Sequence, residues 1–94
     1  MSYQPAPLDT SDVVLTTEIG ELMELLARHV HDVWARQRLT DGWRYGEERN
    51  DYRKEHPGLR PYEQLSDAEK EYDRKTAAET LKAIIVLGYR IEKA

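Results

Sequence analysis

Cysteine and phenylalanine are absent from this 94-residue chain, and methionine and tryptophan occur only twice each. Without cysteine there is no disulfide framework, no thiolate nucleophile and no cysteine-based metal site. Glycine and proline are sparse, at five and four residues, and no internal repeat or low-complexity tract breaks the chain. Long apolar runs are missing as well. The longest, Ala83 to Leu87, falls far short of a bilayer crossing, so no membrane span is expected. Met1 to Pro7 lacks a basic segment followed by an apolar one, so no secretory signal is read there and a cytoplasmic location is the expectation. Positive charge is not in excess. A formal net charge of -4 opposes non-specific nucleic-acid binding, which needs a basic footprint to release counterions.

Several chemistries are excluded by spacing. His29 and His31 lie two apart, about 200° around a helix, and cannot share a metal ion; no HxxxH spacing occurs either. There is no Walker-type phosphate loop and no credible nucleophile elbow. Glu47 and Glu48 are loop neighbours rather than a facing carboxylate pair. The chain is therefore expected to be no enzyme and to carry no metal and no cofactor.

What remains is a chain of 39% hydrophobic and 34% charged residues, read as a single globular domain over 1–94. Ile19, Leu22, Met23, Leu26, Val30, Val33, Trp34 and Gln37 repeat with a period near 3.6, which predicts a helix over 17–39 with that stripe facing inward. Thr16 or Thr17 caps its start, Glu18 faces the positive dipole end, and Gly42 stops it. Trp34 belongs to the stripe and is read as a packing anchor. His31 is placed at the edge of the stripe, where its ring packs and its nitrogen reaches the loop backbone. Residues 1–15 form an extended leader, since Pro5 and Pro7 hold themselves and their predecessors out of helical dihedrals.

A second helix is predicted over 66–87. Ser66 and Glu69 make a capping box at its start, and Gly88 ends it in a left-handed turn. Its apolar residues form two stripes, Ala77, Ala78, Leu81, Ile84 and Ile85 on one face and Tyr72, Thr76, Ala83 and Leu87 on the other, so burial on both sides is expected. A short extended tail, 88–94, follows. The expected fold class is mainly α: two long helices packed together, a long ordered aromatic loop between them and the extended leader.

Residues 40–65 lack a regular apolar period yet hold Trp43, Tyr45, Tyr52 and Tyr62 together with Arg44, Arg49, Arg53, Lys54 and Arg60. A loop this long in a small domain is either disordered or a working loop, and the aromatic content argues against disorder. Gly42 and Gly46 bracket Trp43, as a tight turn or a ligand cradle would require. Trp43 either plugs the core or stacks on a ligand. The loop arginines alternate with Glu47, Glu48, Asp51 and Glu55, a pattern shared by a solvated surface and a phosphate-binding rim.

Five motifs carry a family resemblance: His31-Asp32-Val33-Trp34-Ala35, Gly42-Trp43-Arg44-Tyr45-Gly46, His56 through Leu65, Lys70-Glu71-Tyr72-Asp73 and Leu87-Gly88-Tyr89. With the leader residues Tyr3, Pro5, Pro7, Asp9 and Thr10, the chain resembles the ryanodine receptor repeat, or RyR domain, over roughly 3–91. It differs from the family pattern at His29, Gly58 and Arg60. In that family the repeat occurs in tandem pairs in the cytosolic part of a calcium-release channel, and singly in bacterial and phage proteins. The resemblance implies binding of adenine nucleotides or sensing of nucleotide-derived signals. It also implies pairing of repeats about an approximate two-fold axis, which a single copy would restore as a homodimer.

Two functions are thus expected in competition. One is a ligand-sensing module, in which Trp43, Tyr45, Arg49, Arg53, Arg60 and Tyr62 hold a nucleotide-like small molecule. The other is a structural interaction domain that packs against a twin or partner, with no small ligand.

Overall fold

The computed structural model describes residues 2–94. Two helices, α1 (Thr17–Thr40) and α2 (Asp67–Val86), pack together and are joined by the aromatic loop. They run antiparallel: Ile19 and Ile85 line one recess at one end, while His31 faces Asp73 further along. Both starts are capped as the sequence dictates. Thr16 Oγ1 accepts from the Ile19 N–H, and Ser66 and Glu69 close a reciprocal capping box.

Both helices end in the same way. Gly42 adopts φ 91°, its N–H reaches the Leu39 carbonyl, and the Trp43 N–H reaches the Arg38 carbonyl at 2.9 Å. Gly88 repeats the pattern with Ile85 and Ile84. These are Schellman motifs, in which the last helical residues and the residue after glycine normally share an apolar contact. At α1 that contact is between Arg38 and Trp43, the guanidinium lying 4.8 Å from the indole centroid. The helix terminus therefore delivers Trp43 to a fixed place.

The loop is more structured than its composition suggests. Strands β1 (Arg44–Tyr45) and β2 (Glu55–His56) pair in parallel, Arg44 opposite Glu55 and Tyr45 opposite His56. Between them, Asn50 and Glu55 exchange two backbone hydrogen bonds of 2.9 Å around a turn that holds Lys54 at φ 54°. Gly46 is demanded by close approach, because a Cβ there would lie 2.6 Å from Glu55 Cβ. A 3-10 helix, Tyr62–Gln64, then leads into α2. Strands this short leave no periodic trace in a sequence.

The core is thin. Ala27, Tyr62, Leu65, Ala77 and Leu81 are its buried apolar residues among those described. Three expectations about phase are corrected. The buried line of α1 centres on Ala27 and His31, while Val33 and Gln37 are exposed, because the loop covers the His31 side of the helix. Trp34 is half-buried at the edge of a cleft instead of enclosed. On α2 the outer face is mostly open, Tyr72 and Leu87 being 76% and 62% exposed, while Ala83 on the same stripe is half-buried. The leader reaches that outer face at one buried point, where Thr10 Oγ1 donates to Glu79 at 2.8 Å. The tail has no regular secondary structure, and Ile91 is half-buried beside Ile19 and Leu22.

The two loop-side and helix-side glycines make opposite predictions. Gly46→Ala is expected to destabilise the domain by about 1 to 3 kcal/mol through overpacking against Glu55. Gly20, in the first turn of α1 with nothing within 4 Å of a new Cβ, should gain about 0.5 to 1 kcal/mol as Gly20→Ala. Urea denaturation of both variants reads the signs, and a neutral Gly46→Ala would mean that β1 and β2 do not approach as described.

Candidate functional site

Five rings form a continuous chain from the core to the loop. Tyr62 lies 6.1 Å from His31, His31 lies 5.7 Å from Trp34, Trp34 lies 5.0 Å from His56, and His56 lies 6.4 Å from Trp43. His31, Trp34 and Arg38 project from successive turns of α1 at i, i+3 and i+7, so one helix face supplies three of the contributors. Arg38 caps the far end, its guanidinium 5.8 Å from Trp34 and 4.8 Å from Trp43.

Beside this chain opens a cleft of about 300 Å³ lined by His31, Trp34, His56, Gly58, Leu65, Glu69, Tyr72 and Asp73. Glu69, Tyr72 and Asp73 stand at i, i+3 and i+4 on α2 and form the wall opposite the indole. Gly58 keeps the cleft compact, since a Cβ there would lie 3.0 Å from the His56 ring and 3.3 Å from Trp34. Concave, mostly apolar walls with a few convergent polar groups are the usual make-up of a small-molecule site.

Hydrogen bonds fix the polar groups of this cleft. His31 Nε2 lies 2.7 Å from the Arg60 carbonyl, which can only accept, so Nε2 carries a proton, and Nδ1 faces Asp73. That Nδ1 is 3.9 Å from Asp73 Oδ2, too long for a hydrogen bond, and no other donor reaches Asp73 among the described residues. Burial raises the Asp73 pKa above the ordinary carboxylate value, with Glu69 adding to the rise and His31 opposing it. Glu69 is well supplied with donors instead, all at Oε1. It accepts from the Ser66 N–H, the Ser66 hydroxyl and Arg60 Nη2, and despite the opposing effect of burial these partners hold its pKa below the usual value. His56 Nδ1 accepts from the Gly58 N–H at 2.9 Å, so its proton sits on Nε2. Burial, then the charges of Arg49 and Arg38, lower the His56 pKa. The buried Arg60 Nε has no hydrogen-bond partner among the described residues.

The six residues expected to bind a ligand are not gathered in one place. Trp43 is half-buried, between Arg38 and the edge of His56. Tyr45 is exposed on β1. Arg49 pairs with Asp51 at 2.9 Å, and it shares with Arg53 a shallow recess that also contains Glu47, Glu48 and Glu55, a setting that disfavours phosphate. Arg60 bonds Glu69 at the mouth of α2. Tyr62 corrects the expectation outright: at 3% exposure it is a core residue, its hydroxyl donating to Glu24 Oε1 at 3.1 Å. Glu24 in turn takes two hydrogen bonds from Arg74, at 2.6 and 3.2 Å.

Trp34, His56, Glu69, Tyr72 and Asp73, which line the candidate cleft, are not among the residues expected from the sequence to bind a ligand. The signal was present in helical spacing, as His31/Trp34 on one helix and Glu69/Tyr72/Asp73 on the other. It was hidden because Trp34 also fits an apolar stripe, which reads as core when the opposing element is unknown. Among the described residues no group of three or more His, Asp or Glu side chains is arranged to hold a metal ion. No helix there is long and apolar enough to cross a membrane.

The pH dependence of stability follows from His56. Its folded-state pKa is depressed, so the unfolded chain binds the proton more tightly. Stability must then fall as pH drops through the ordinary imidazole value of about 6.5, and level off below the folded-state value. Glu24 acts lower on the scale. Its pKa is lowered chiefly by Arg74, so its contribution is lost as pH falls below the ordinary carboxylate value of about 4.3. Denaturation at several pH values should show the first decline in the wild type and a flattened one in His56→Gln; an unchanged slope in the variant rules His56 out as its source.

The residues of the cleft and of its scaffold lie within a wider agreement. The model of the family described as the RyR domain matches residues 3–93, which takes in leader, both helices, loop and most of the tail. The chain belongs to the RyR domain family.

Proposed function

We propose that this RyR domain is a small-molecule-binding module without turnover, whose ligand is nucleotide-like and places its base in the cleft between α1, β2 and α2. One observation carries the reading: Asp73 presents a carboxylate to which none of the described residues donates a hydrogen bond, between walls of indole, imidazole and phenol. A partly buried acceptor of this kind is costly unless something donates to it. The exocyclic amino group or ring N–H of a base supplies that donor, while Trp34 and Tyr72 offer faces for stacking. Glu69 and Asp73 repel phosphate from the floor, so the anionic part of the ligand lies outward. Arg38, over the indoles of Trp34 and Trp43, is the cation beside that aromatic wall.

Binding without catalysis fits the arrangement. His31 commits its Nε2 proton to the Arg60 carbonyl and is held as a structural pivot rather than a mobile acid or base. Pairing with a twin through the Tyr72, Thr76, Ala83 and Leu87 face has less support, because Pro7, Leu8 and Thr10 of the leader flank part of that face.

A thermal-shift series with adenosine, adenosine monophosphate and cyclic nucleotides tests the reading. A ligand at about 100 times its Kd stabilises the fold by roughly 2.7 kcal/mol. Calorimetric titration should then show Trp34→Leu weakening the best ligand by about 1 to 3 kcal/mol of stacking. Asp73→Asn should remove a charge-assisted hydrogen bond of about 1.5 to 3 kcal/mol. No shift with any nucleotide, or full affinity in both folded variants, overturns the proposal.

A further inference from the structure

We propose that the cleft selects guanine among the bases, with Asp73 as the specificity-determining residue that accepts from the N1–H and the N2 amino group together. This rests on the reading of the cleft as a base site and goes beyond it by fixing which base. The α2 wall is rich in acceptors and poor in donors. No described residue donates to the Asp73 carboxylate, whose side chain is only 19% exposed, and His31 Nδ1 at 3.9 Å is too far to do so. Glu69, one turn earlier, takes its hydrogen bonds from Ser66 and Arg60 at Oε1 alone, which leaves Oε2 without a donor among the described residues. His56, on the loop side of the same cleft, is the complementary group. Its Nδ1 accepts from the Gly58 N–H, so its proton is on Nε2, and no described residue receives it.

The edges of the bases differ in what they offer a carboxylate, which can only accept. Guanine sets its N1–H and N2 amino group side by side, so two parallel donors meet the two carboxylate oxygens in the strong, charge-assisted arrangement. Adenine offers one amino group beside a bare N1, and cytosine one amino group beside a bare N3; in each the second oxygen faces a lone pair. Uracil carries its single N–H between two carbonyls that repel the carboxylate. Hypoxanthine keeps the N1–H but has no amino group. Of these bases, only guanine satisfies both oxygens. Its C6 carbonyl is also an acceptor for the His56 Nε2–H, where adenine would bring a second donor. Discrimination of this kind is stronger than discrimination by fit, because the wrong base leaves a partly buried acceptor unpaired. The cleft, at about 300 Å³, stands at the small end of ligand sites, which suits a base with its ribose and phosphate outside.

Calorimetric titration with the 5′-monophosphates of guanosine, inosine, adenosine, cytidine, uridine and xanthosine tests this, since sugar and phosphate are the same throughout. The wild type should bind the guanosine compound about tenfold or more tighter than the inosine compound, the difference being one charge-assisted hydrogen bond. The adenosine compound should bind more weakly still. Asp73→Asn should exchange the preference. Its amide oxygen still accepts from N1–H, but its amide nitrogen now donates, which suits the C2 carbonyl of xanthine and opposes the amino group of guanine. A merely structural role for Asp73 would weaken all six compounds alike. Circular dichroism establishes that the variant keeps its helices, and if it does not, the wild-type order alone decides. Adenosine monophosphate bound as tightly as guanosine monophosphate, or a folded Asp73→Asn with the guanine preference intact, overturns guanine selection and leaves the base site standing. Binding of none of the six overturns both.

Discussion

The loop is held to the helices by the hydrogen bond from His31 Nε2 to the Arg60 carbonyl, and most of the candidate site depends on it. His31 is 5% exposed, so an unmade bond there would strand a buried donor and a buried acceptor together. Once made, the bond sets the imidazole plane. That plane lies against Trp34 at 5.7 Å and Tyr62 at 6.1 Å between ring centroids, and the loop that carries Arg60 also carries Gly58 and His56 against Trp34. A leucine at this position would pack, but it would leave the loop without a directional anchor.

A domain with so few buried apolar side chains needs other means of fixing its geometry. Exposed ion pairs are poor candidates, because water and salt weaken them. The useful ones here are shared rather than isolated. Glu24 joins α1 to α2 through Arg74 and to the 3-10 helix through Tyr62, so one carboxylate ties three elements. Glu69 likewise completes the cap of α2 and holds Arg60. In both cases a single group closes several contacts that separate pairs would close less firmly.

The helices were legible because their signals are local. Caps, a 3.6-residue period and terminal glycines each act over a few neighbours, and the structure places α1 and α2 within a residue or two of the expected ends. The inward direction of α1 was less legible. Val33 and Gln37 satisfy the period as well as Ala27 and His31 do, and only the loop, folding over one side, breaks the tie. The site was harder still. Its walls come from residues far apart in the chain, and Arg49 and Arg53 looked promising in sequence because the nearby carboxylates could not be placed in space. Tyr62 shows the same limit, since nothing local announces that Glu24, thirty-eight residues away, will accept its hydroxyl.

The cleft breaks the rule that a small core should be filled with aliphatic side chains. His31, Trp34, His56 and Asp73 bring polar or titratable groups to a recess that aliphatic side chains would line without them. Asp73 is raised in pKa by its own burial, and His56 is lowered by burial and two arginines, so both groups sit in surroundings that oppose their charged forms. Perturbed groups of opposite type facing one recess are a weak sign of function when either stands alone. Together, on one helix pair, they make this cleft the place where the packing departs furthest from a purely apolar core.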